Sequence, residues 1–584
     1  MNKVLVLFAL GASMTLNAAV AADNATAKDQ FQRVSDEYFD QVYFPYQPTA
    51  GTVAGYHQYD TKLEDFSRKS IDSEIAALDD FEKRVSAIPA ASLDQTTRAD
   101  RQMVLNNIRS GLLTLQTIRP WAKNADNYSS TCANAAFTIM ERKFAPADDR
   151  LRSLIAREKQ MPGLIAEART NLQNPPRIFT EIAIEQLPGI IGFFQHDVPG
   201  AFEDAKDPAL KSEFARTNAA VVAALSDYLA WLKKDLLPRS NGDFRIGAET
   251  FSKKLLYDEM VDLPLPKLLE IGYADLRRNQ QRFAEVAHEL EPGKDPREVL
   301  EELGNQHPAP DKLLDAFRAT FTSLLDFIRA HHIVTIPSDV RPVLEETPPF
   351  MRATTQASMD SPGPFEKRAI TSYFNVTLPD RSMTPEEVEG YMHSFNIGTV
   401  ISTSVHEAYP GHYTQYLYSL QFPSRVRKIL SANTNVEGWA HYTEQMMLDY
   451  GYGQPGSGAK DEREAKFLRL GQLQDALLRN ARFIVGIQMH TGDMTYDQAV
   501  EFFQKEGYQP KETAQVEAKR GAGDPTYLYY TLGKLEIMKL RADLMKKQGT
   551  DFSLEKFHNE FLSQGFPPIK IVREALLGDG SPTL

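Results

Sequence analysis

His406-Glu407-Ala408-Tyr409-Pro410-Gly411-His412 lies inside a segment, Val400 to Leu420, that otherwise reads as helix. Two histidines bracket a glutamate. When such a pair is spaced by four, as in H-E-x-x-H, one helical face carries both imidazoles with the glutamate beside them, an arrangement that ligates zinc. Here the spacing is six. At roughly 100° per residue the two rings would then stand about 120° apart, and a regular helix could not aim both at one ion. Pro410 lacks an N–H and breaks the i−4 bond, and Gly411 accepts dihedrals closed to other residues. A bulge there is expected to swing His412 back toward His406. The plainer alternative is a kinked helix with two partly exposed histidines. His288-Glu289 is another H-E pair with no partner histidine near it, so the pair alone says little.

The next helical stretch, Asn433 to Glu444, places Glu437, His441 and Glu444 on one face at i, i+4 and i+7. Glu437 follows His412 by 25 residues, enough for a second helix to pack antiparallel and deliver a third ligand. Two histidines and a carboxylate, with a fourth position left open, is the layout of a catalytic rather than a structural zinc site. His441 shares the face of Glu437 and is its rival as third ligand.

HEAYPGH at 406–412, EGWAHYTEQM at 437–446 and YYTLGKLEIMKLR at 529–541 together resemble the bacterial family catalogued as domain of unknown function 885. That family is regarded as related to the gluzincin-type helical zinc peptidases, such as thimet oligopeptidase, angiotensin-converting enzyme and the thermostable carboxypeptidases. Gly51 to Asp60 and Gly247 to Leu255 resemble further family signatures, so the likeness covers most of the chain. The resemblance implies a mainly α, two-lobed metallopeptidase-like fold with a deep cleft and a small β-sheet before the metal-binding helix. It implies one zinc ion on His406, His412 and Glu437, with Glu407 as general base and Glu444 orienting a ligand from behind. Tyr530 matches the tyrosine of the family's Y-x-x-G and would donate its phenol to the oxyanion, with help from His441; Tyr527 and Tyr529 are its neighbours. The departure is the first motif, where H-E-x-x-x-x-H replaces H-E-x-x-H.

The chain has 584 residues, 42% hydrophobic and 24% charged, an ordinary balance for a globular protein with a large core. A net charge of −13 without a basic stripe argues against a nucleic-acid role. Lys3, the apolar run Val4 to Leu16 and Ala19-Val20-Ala21 read as a cleavable signal peptide over residues 1–21. The only cysteine is Cys132, which precludes an intramolecular disulfide; with no lipobox cysteine at the junction, a periplasmic or secreted protein without stable membrane insertion is expected.

Residues 22–332 read as mainly helical, with apolar residues at three- and four-residue steps in Asp29–Tyr43, Ile71–Ile88, Gln95–Thr117, Pro146–Leu172 and Glu213–Leu236. Asp207-Pro208 and Asp295-Pro296 are expected helix starts. Residues 333–378 form a small β region: Ile333–Ile336, Val340–Leu344, Arg352–Met359 and Ile370–Leu378 are short, β-branched runs split by Pro and Gly. Arg352–Met359 is the candidate edge strand for pairing with a peptide backbone; a hairpin without a ligand is the alternative. Residues 379–584 are the helical zinc-binding region. There Arg479 and Arg482 are candidates for a peptide carboxylate, with Tyr529 beside them, against the commoner fate of buried arginines in ion pairs. His57 reads as a turn residue, with a place facing substrate as the alternative. The expected function is zinc-dependent hydrolysis of peptides. A peptide- or solute-binding protein on the same scaffold, and a hydrolase of a non-peptide amide or ester, are the alternatives; the presence of Glu407 argues against a pure binder.

Overall fold

The computed structural model describes residues 26–347, 352, 356–422, 424–492 and 494–584, so the leader read at 1–21 lies outside the described residues. The chain is mainly helical. Up to residue 239 it runs through helices that include Arg68–Ser86, Gln95–Leu113, Asp126–Met140, Arg177–Gly192 and Pro208–Trp231. Asp207 caps the last of these, accepting from the N–H groups of Ala209 and Leu210. The single helix expected over Pro146–Leu172 is two, Ala147–Glu158 and Met161–Asn171, because Pro162 opens a new helix in its first turn. Four helices widen into a π turn directly before a proline. Phe44, Arg119, Val198 and Leu237, which precede Pro45, Pro120, Pro199 and Pro238, each donate five residues back rather than four. A proline ring crowds the preceding turn, and the wider turn relieves it.

Beyond residue 246 come α1 (Gly247–Glu259), α2 (Leu265–Leu290), α3 (Pro296–Gly304) and α4 (Leu313–Ala330). Strands β1 (Val343–Glu346), β2 (Ala357–Asp360) and β3 (Tyr373–Val376) form one sheet in the order β1-β3-β2. β1 runs parallel to β3, with Val343 opposite Tyr373; β2 runs antiparallel, with Met359 opposite Phe374. The first expected strand, Ile333–Ile336, does not form. Its backbone groups are taken by side chains instead: His558 bonds the Ile333 carbonyl, Tyr418 donates to that of Thr335, and Asn559 accepts from the Thr335 N–H. Of Arg352–Met359 only the end is strand, and residues 353–355 lie outside the described residues.

After the sheet follow α5 (Pro385–Met392), α6 (Ile397–Glu407), α7 (His412–Ser419), α8 (Asn433–Asp449), α9 (Glu462–Thr491), α10 (Lys511–Gly523) and α11 (Tyr529–Gln548). Val400 to Leu420 is therefore two helices, not one kinked helix. α6 stops at Glu407 and α7 starts at His412.

Glycines set how closely these helices cross. A Cβ on Gly398 of α6 would lie 2.8 Å from the Cα of Gly471 on α9, and one on Gly438 of α8 would lie 2.6 Å from the Cα of Gly533 on α11. No side chain fits at either crossing, so backbone meets backbone. Deeper in the bundle, the buried Asp275 of α2 accepts from Asn480 of α9 and Lys534 of α11, at 2.8 and 3.1 Å. Its burial would raise its pKa, but the Lys534 ammonium, Asn480 and Arg278 outweigh this and hold it well below the carboxylate range. Among the described residues no helix is long and apolar enough to cross a membrane.

Candidate metal centre

The stretch between α6 and α7 turns sharply enough to bring its two histidines together. A Cβ on Gly411 would fall 1.8 Å from the carbonyl oxygen of His406, so the turn closes onto a position that only glycine can occupy. The indole of Trp439 on α8, fully buried, donates to the Pro410 carbonyl at 2.8 Å and fastens the turn to the neighbouring helix. As a result the His406 and His412 rings stand at 89° with centroids 4.8 Å apart. A broken helix, not a bulge within one, resolves the six-residue spacing.

α8 supplies the carboxylate. Its first N–H groups are capped from α1: Glu259 accepts from the backbones of Asn433 and Thr434 and from the Thr434 hydroxyl. One turn on, Glu437 Oε2 lies 3.4 Å from His406 Nε2 and 3.5 Å from His412 Nε2. Ligand atoms at the corners of a tetrahedron around an ion with bonds of about 2.0–2.1 Å stand about 3.4 Å apart, so the spacing fits a zinc-sized cation.

The protons point the same way. His406 Nδ1 lies 2.6 Å from Glu444 Oε1, a carboxylate that can only accept, so Nδ1 carries the hydrogen. His412 Nδ1 lies 2.9 Å from Gln415 Oε1, whose amide nitrogen is committed to the Asn435 carbonyl. Each ring thus turns an Nε2 lone pair toward Glu437 Oε2, which is buried and has no hydrogen-bond partner. A proton or a metal cation must stand among three acceptors so arranged. Burial lowers the His406 pKa, but Glu437 and Glu444 outweigh it and push it up to about 10, so without a cation the cluster takes up a proton.

Glu444 is the hub behind the cluster. Its fully buried carboxylate accepts from His406 and from His441 Nδ1 at 3.1 Å, and pairs ionically with Arg479, whose Nη2 lies 3.1 Å away. His441 is completely buried, and burial first of all pushes its pKa down to about 3, so it is neutral. It stands outside the group of converging ligand atoms, which comprises His406, His412 and Glu437. Glu407, one residue past His406, accepts from the N–H of Met359 on the edge strand β2 at 2.9 Å.

The tyrosine and arginine candidates gather at the start of α11. Tyr527 is core: it is fully buried, and a Cβ on Gly521 would lie 2.4 Å from its hydroxyl. Tyr529 and Tyr530 lie ring to ring at 4.9 Å, and the Tyr529 hydroxyl donates to Asp524 at 3.1 Å. Arg482 is committed to Glu517 through two bonds of 2.6 and 2.7 Å, so its fork is taken; Arg479 pairs with Glu444 through Nη2 at 3.1 Å, while its buried Nε has no hydrogen-bond partner. The residue that sequence reasoning missed is Arg520 on α10. Its Nη2 donates to both phenols at 3.3 Å, and its guanidinium, with those of Arg479 and Arg482, surrounds the Tyr530 ring. Its place in the sequence, nine residues before a tyrosine pair and across a Gly-Asp-Pro turn, gave no sign of this. His57 bridges Asp60 and Glu366 and stacks on Phe144, a structural role.

Residues 48–576 match the model of a bacterial protein family of unknown function, DUF885. The chain belongs to that family. Among solved structures it is similar to one described as "a putative lipoprotein of unknown function" from Shewanella oneidensis, at 27% identity and a TM-score of 0.78, covering 94% of this chain and 99% of that one. A second, "the putative lipoprotein from Colwellia psychrerythraea", shares the fold at 17% identity and a TM-score of 0.76, covering 95% and 99%. No curated protein matches. These neighbours correct the expected localisation. A periplasmic or secreted protein was read from a leader without a lipobox cysteine, whereas both neighbours are described as lipoproteins.

Proposed function

We propose that this protein is a metal-dependent hydrolase of peptides, with one zinc ion held by His406, His412 and Glu437. The observation that carries the reading is the convergence of two Nε2 lone pairs on an unpartnered carboxylate oxygen, each at a tetrahedral separation from it, with both Nδ1 protons already bonded elsewhere. A zinc ion in such a site acidifies water and polarises a carbonyl oxygen.

The remaining work falls to the chain. Glu407 follows His406 directly, and its carboxylate serves as general base for the attacking water and then passes the proton to the leaving amine. Glu444 keeps the His406 ring turned and its Nε2 lone pair exposed; Arg479 and His441 in turn fix Glu444. Tyr530, or Tyr529 beside it, donates a phenol to the oxyanion, with Arg520 holding the hydroxyls in place. β2 is an edge strand whose Met359 N–H points away from β3 and toward Glu407, so a substrate laid along that edge would present its main chain to the base. The two-lobed gluzincin-like arrangement with a deep cleft belongs to this same reading.

The test is metal analysis of the purified protein together with a panel of peptides, with and without chelator. Glu407→Gln is expected to keep the ion and lose turnover by at least about a hundredfold, and His412→Ala to lose both. A protein that binds no zinc, or a Glu407→Gln variant with undiminished turnover, would refute the proposal.

A further inference from the structure

A second set of metal-ligating side chains stands at the opposite end of α6. His307 comes from the segment between α3 and α4, Glu389 from α5, and His393 from the 3-10 turn His393–Phe395 that leads into α6. Each brings one ligand atom, and the three atoms lie within 4.8 Å of one another. His307 Nε2 is 3.1 Å from Glu389 Oε1, and His393 Nε2 is 3.8 Å from the same oxygen. These distances bracket the edge of about 3.4 Å expected of a tetrahedral zinc site.

Two details raise this group above a chance meeting of surface residues. The Nδ1 of His307 lies 2.9 Å from the Pro308 carbonyl, which only accepts, so Nδ1 carries the hydrogen and Nε2 turns its lone pair to the carboxylate. The Nε2 of His393 is buried and has no hydrogen-bond partner. The backbone also makes room: a Cβ on Gly304, the last residue of α3, would crowd the His393 ring at 3.3 Å.

We propose that His307, Glu389 and His393 form a second site for a divalent cation of the zinc class, apart from the His406–His412–Glu437 centre and with its fourth position open to solvent. The Ile397 N–H, at the first residue of α6, donates to the Gln306 carbonyl at 2.7 Å, next to His307 in sequence. An ion here would therefore clamp the α3–α4 segment and α5 to the entrance of the helix that ends in His406 and Glu407. α6 is 11 residues long, roughly 16 Å at the α-helical rise. That exceeds the separation of about 4 Å in two-metal catalytic centres, so the two ions would not form one two-metal centre, and the clamp is what this site contributes to the other.

The experiment is calorimetric titration of the chelator-stripped full-length protein with zinc chloride, alongside His307→Ala/His393→Ala and His412→Ala, with the melting temperature followed at each equivalent. Wild type is expected to take two equivalents and each variant one, and the melting-temperature rise on filling the second site should be missing from the double variant. Glu389→Gln, at an exposed position, weakens the same equivalent and serves if the double variant does not fold. An equivalent count unchanged by these substitutions overturns the proposal. The outcome is independent of the other centre, because an equivalent that survives in His412→Ala and disappears in the double variant supports this site whatever happens at Glu437.

Discussion

Gly411→Ala tests whether the turn between α6 and α7 creates the metal centre. The added methyl would sit 1.8 Å from the His406 carbonyl oxygen and 2.4 Å from the carbonyl carbon of that residue and from the Val405 oxygen. All three are backbone atoms, so no side chain can rotate away. Reaching ordinary van der Waals contact requires a displacement of about 1.5 Å. A zinc–nitrogen bond tolerates only about 0.2 Å, so His412 leaves the ligand set before the methyl is accommodated. Zinc affinity is expected to fall at least about a hundredfold, more than the loss of an outer hydrogen bond alone produces. The assay is zinc titration of the stripped protein, with far-ultraviolet circular dichroism to show that the helices persist. Gly189→Ala is the control: its Cβ meets nothing within 4 Å inside the helix Arg177–Gly192, and it should leave zinc binding unchanged while stabilising the fold by roughly 0.5–1 kcal/mol. A Gly411→Ala protein that binds zinc as wild type does would refute the reasoning.

Glu444→Gln keeps the shape of the hub but removes its charge, and zinc affinity should drop by about 10- to 100-fold by titration, with His406 still present. Gly533→Ala, whose Cβ would lie 1.9 Å from the Thr434 carbonyl oxygen, should force α8 and α11 apart; a melting temperature equal to wild type would contradict this. Glu158 provides a pH test: burial, only partly offset by the Thr217 hydroxyl, pushes its pKa up to about 8. Because the folded state holds this proton more tightly than the unfolded chain, its contribution is complete below about pH 4.3. It is lost as pH rises toward 8, at about 1.4 kcal/mol per unit for one proton. Chemical denaturation of Glu158→Gln should show a shallower decline over that window than wild type, and equal slopes would remove Glu158 as the cause. Arg520→Met should lower kcat while leaving zinc content intact, as read by single-substrate kinetics beside metal analysis.

The helical class was legible because amphipathic spacing is local: the runs near Ile71, Gln95 and Glu213 required no tertiary information. Glu437 and His412 were legible as partners for a similar reason, since face and distance along the chain limit what two packed helices can bring together. The sequence did not reveal how the chain turns at Ala408–Gly411, because the close approach of Gly411 to His406 is a contact between main-chain atoms and has no composition signature. The hydrogen bonds from Trp439 to Pro410 and from Glu259 to the start of α8 likewise join positions far apart in sequence. Arg479 shows the limit of residue-type reasoning. An arginine near a site suits a substrate carboxylate and a buried glutamate equally well, and only the fold brings it to Glu444. Ile333–Ile336 failed as a strand because side chains from α7 and from the helix Leu554–Leu562 claimed its backbone first.

The glycine crossings of α6 with α9 and of α8 with α11 have a consequence for redesign. Where main chain rests on main chain, the frame's dimensions do not depend on which side chains project from it. Exchanging Glu437 for His or Asp, or Glu407 for Gln, therefore alters the chemistry offered at the centre and leaves the supporting beams where they are. Such a chassis permits a series of ligand sets to be compared on fixed mountings, so that differences among them report on coordination and not on repacking.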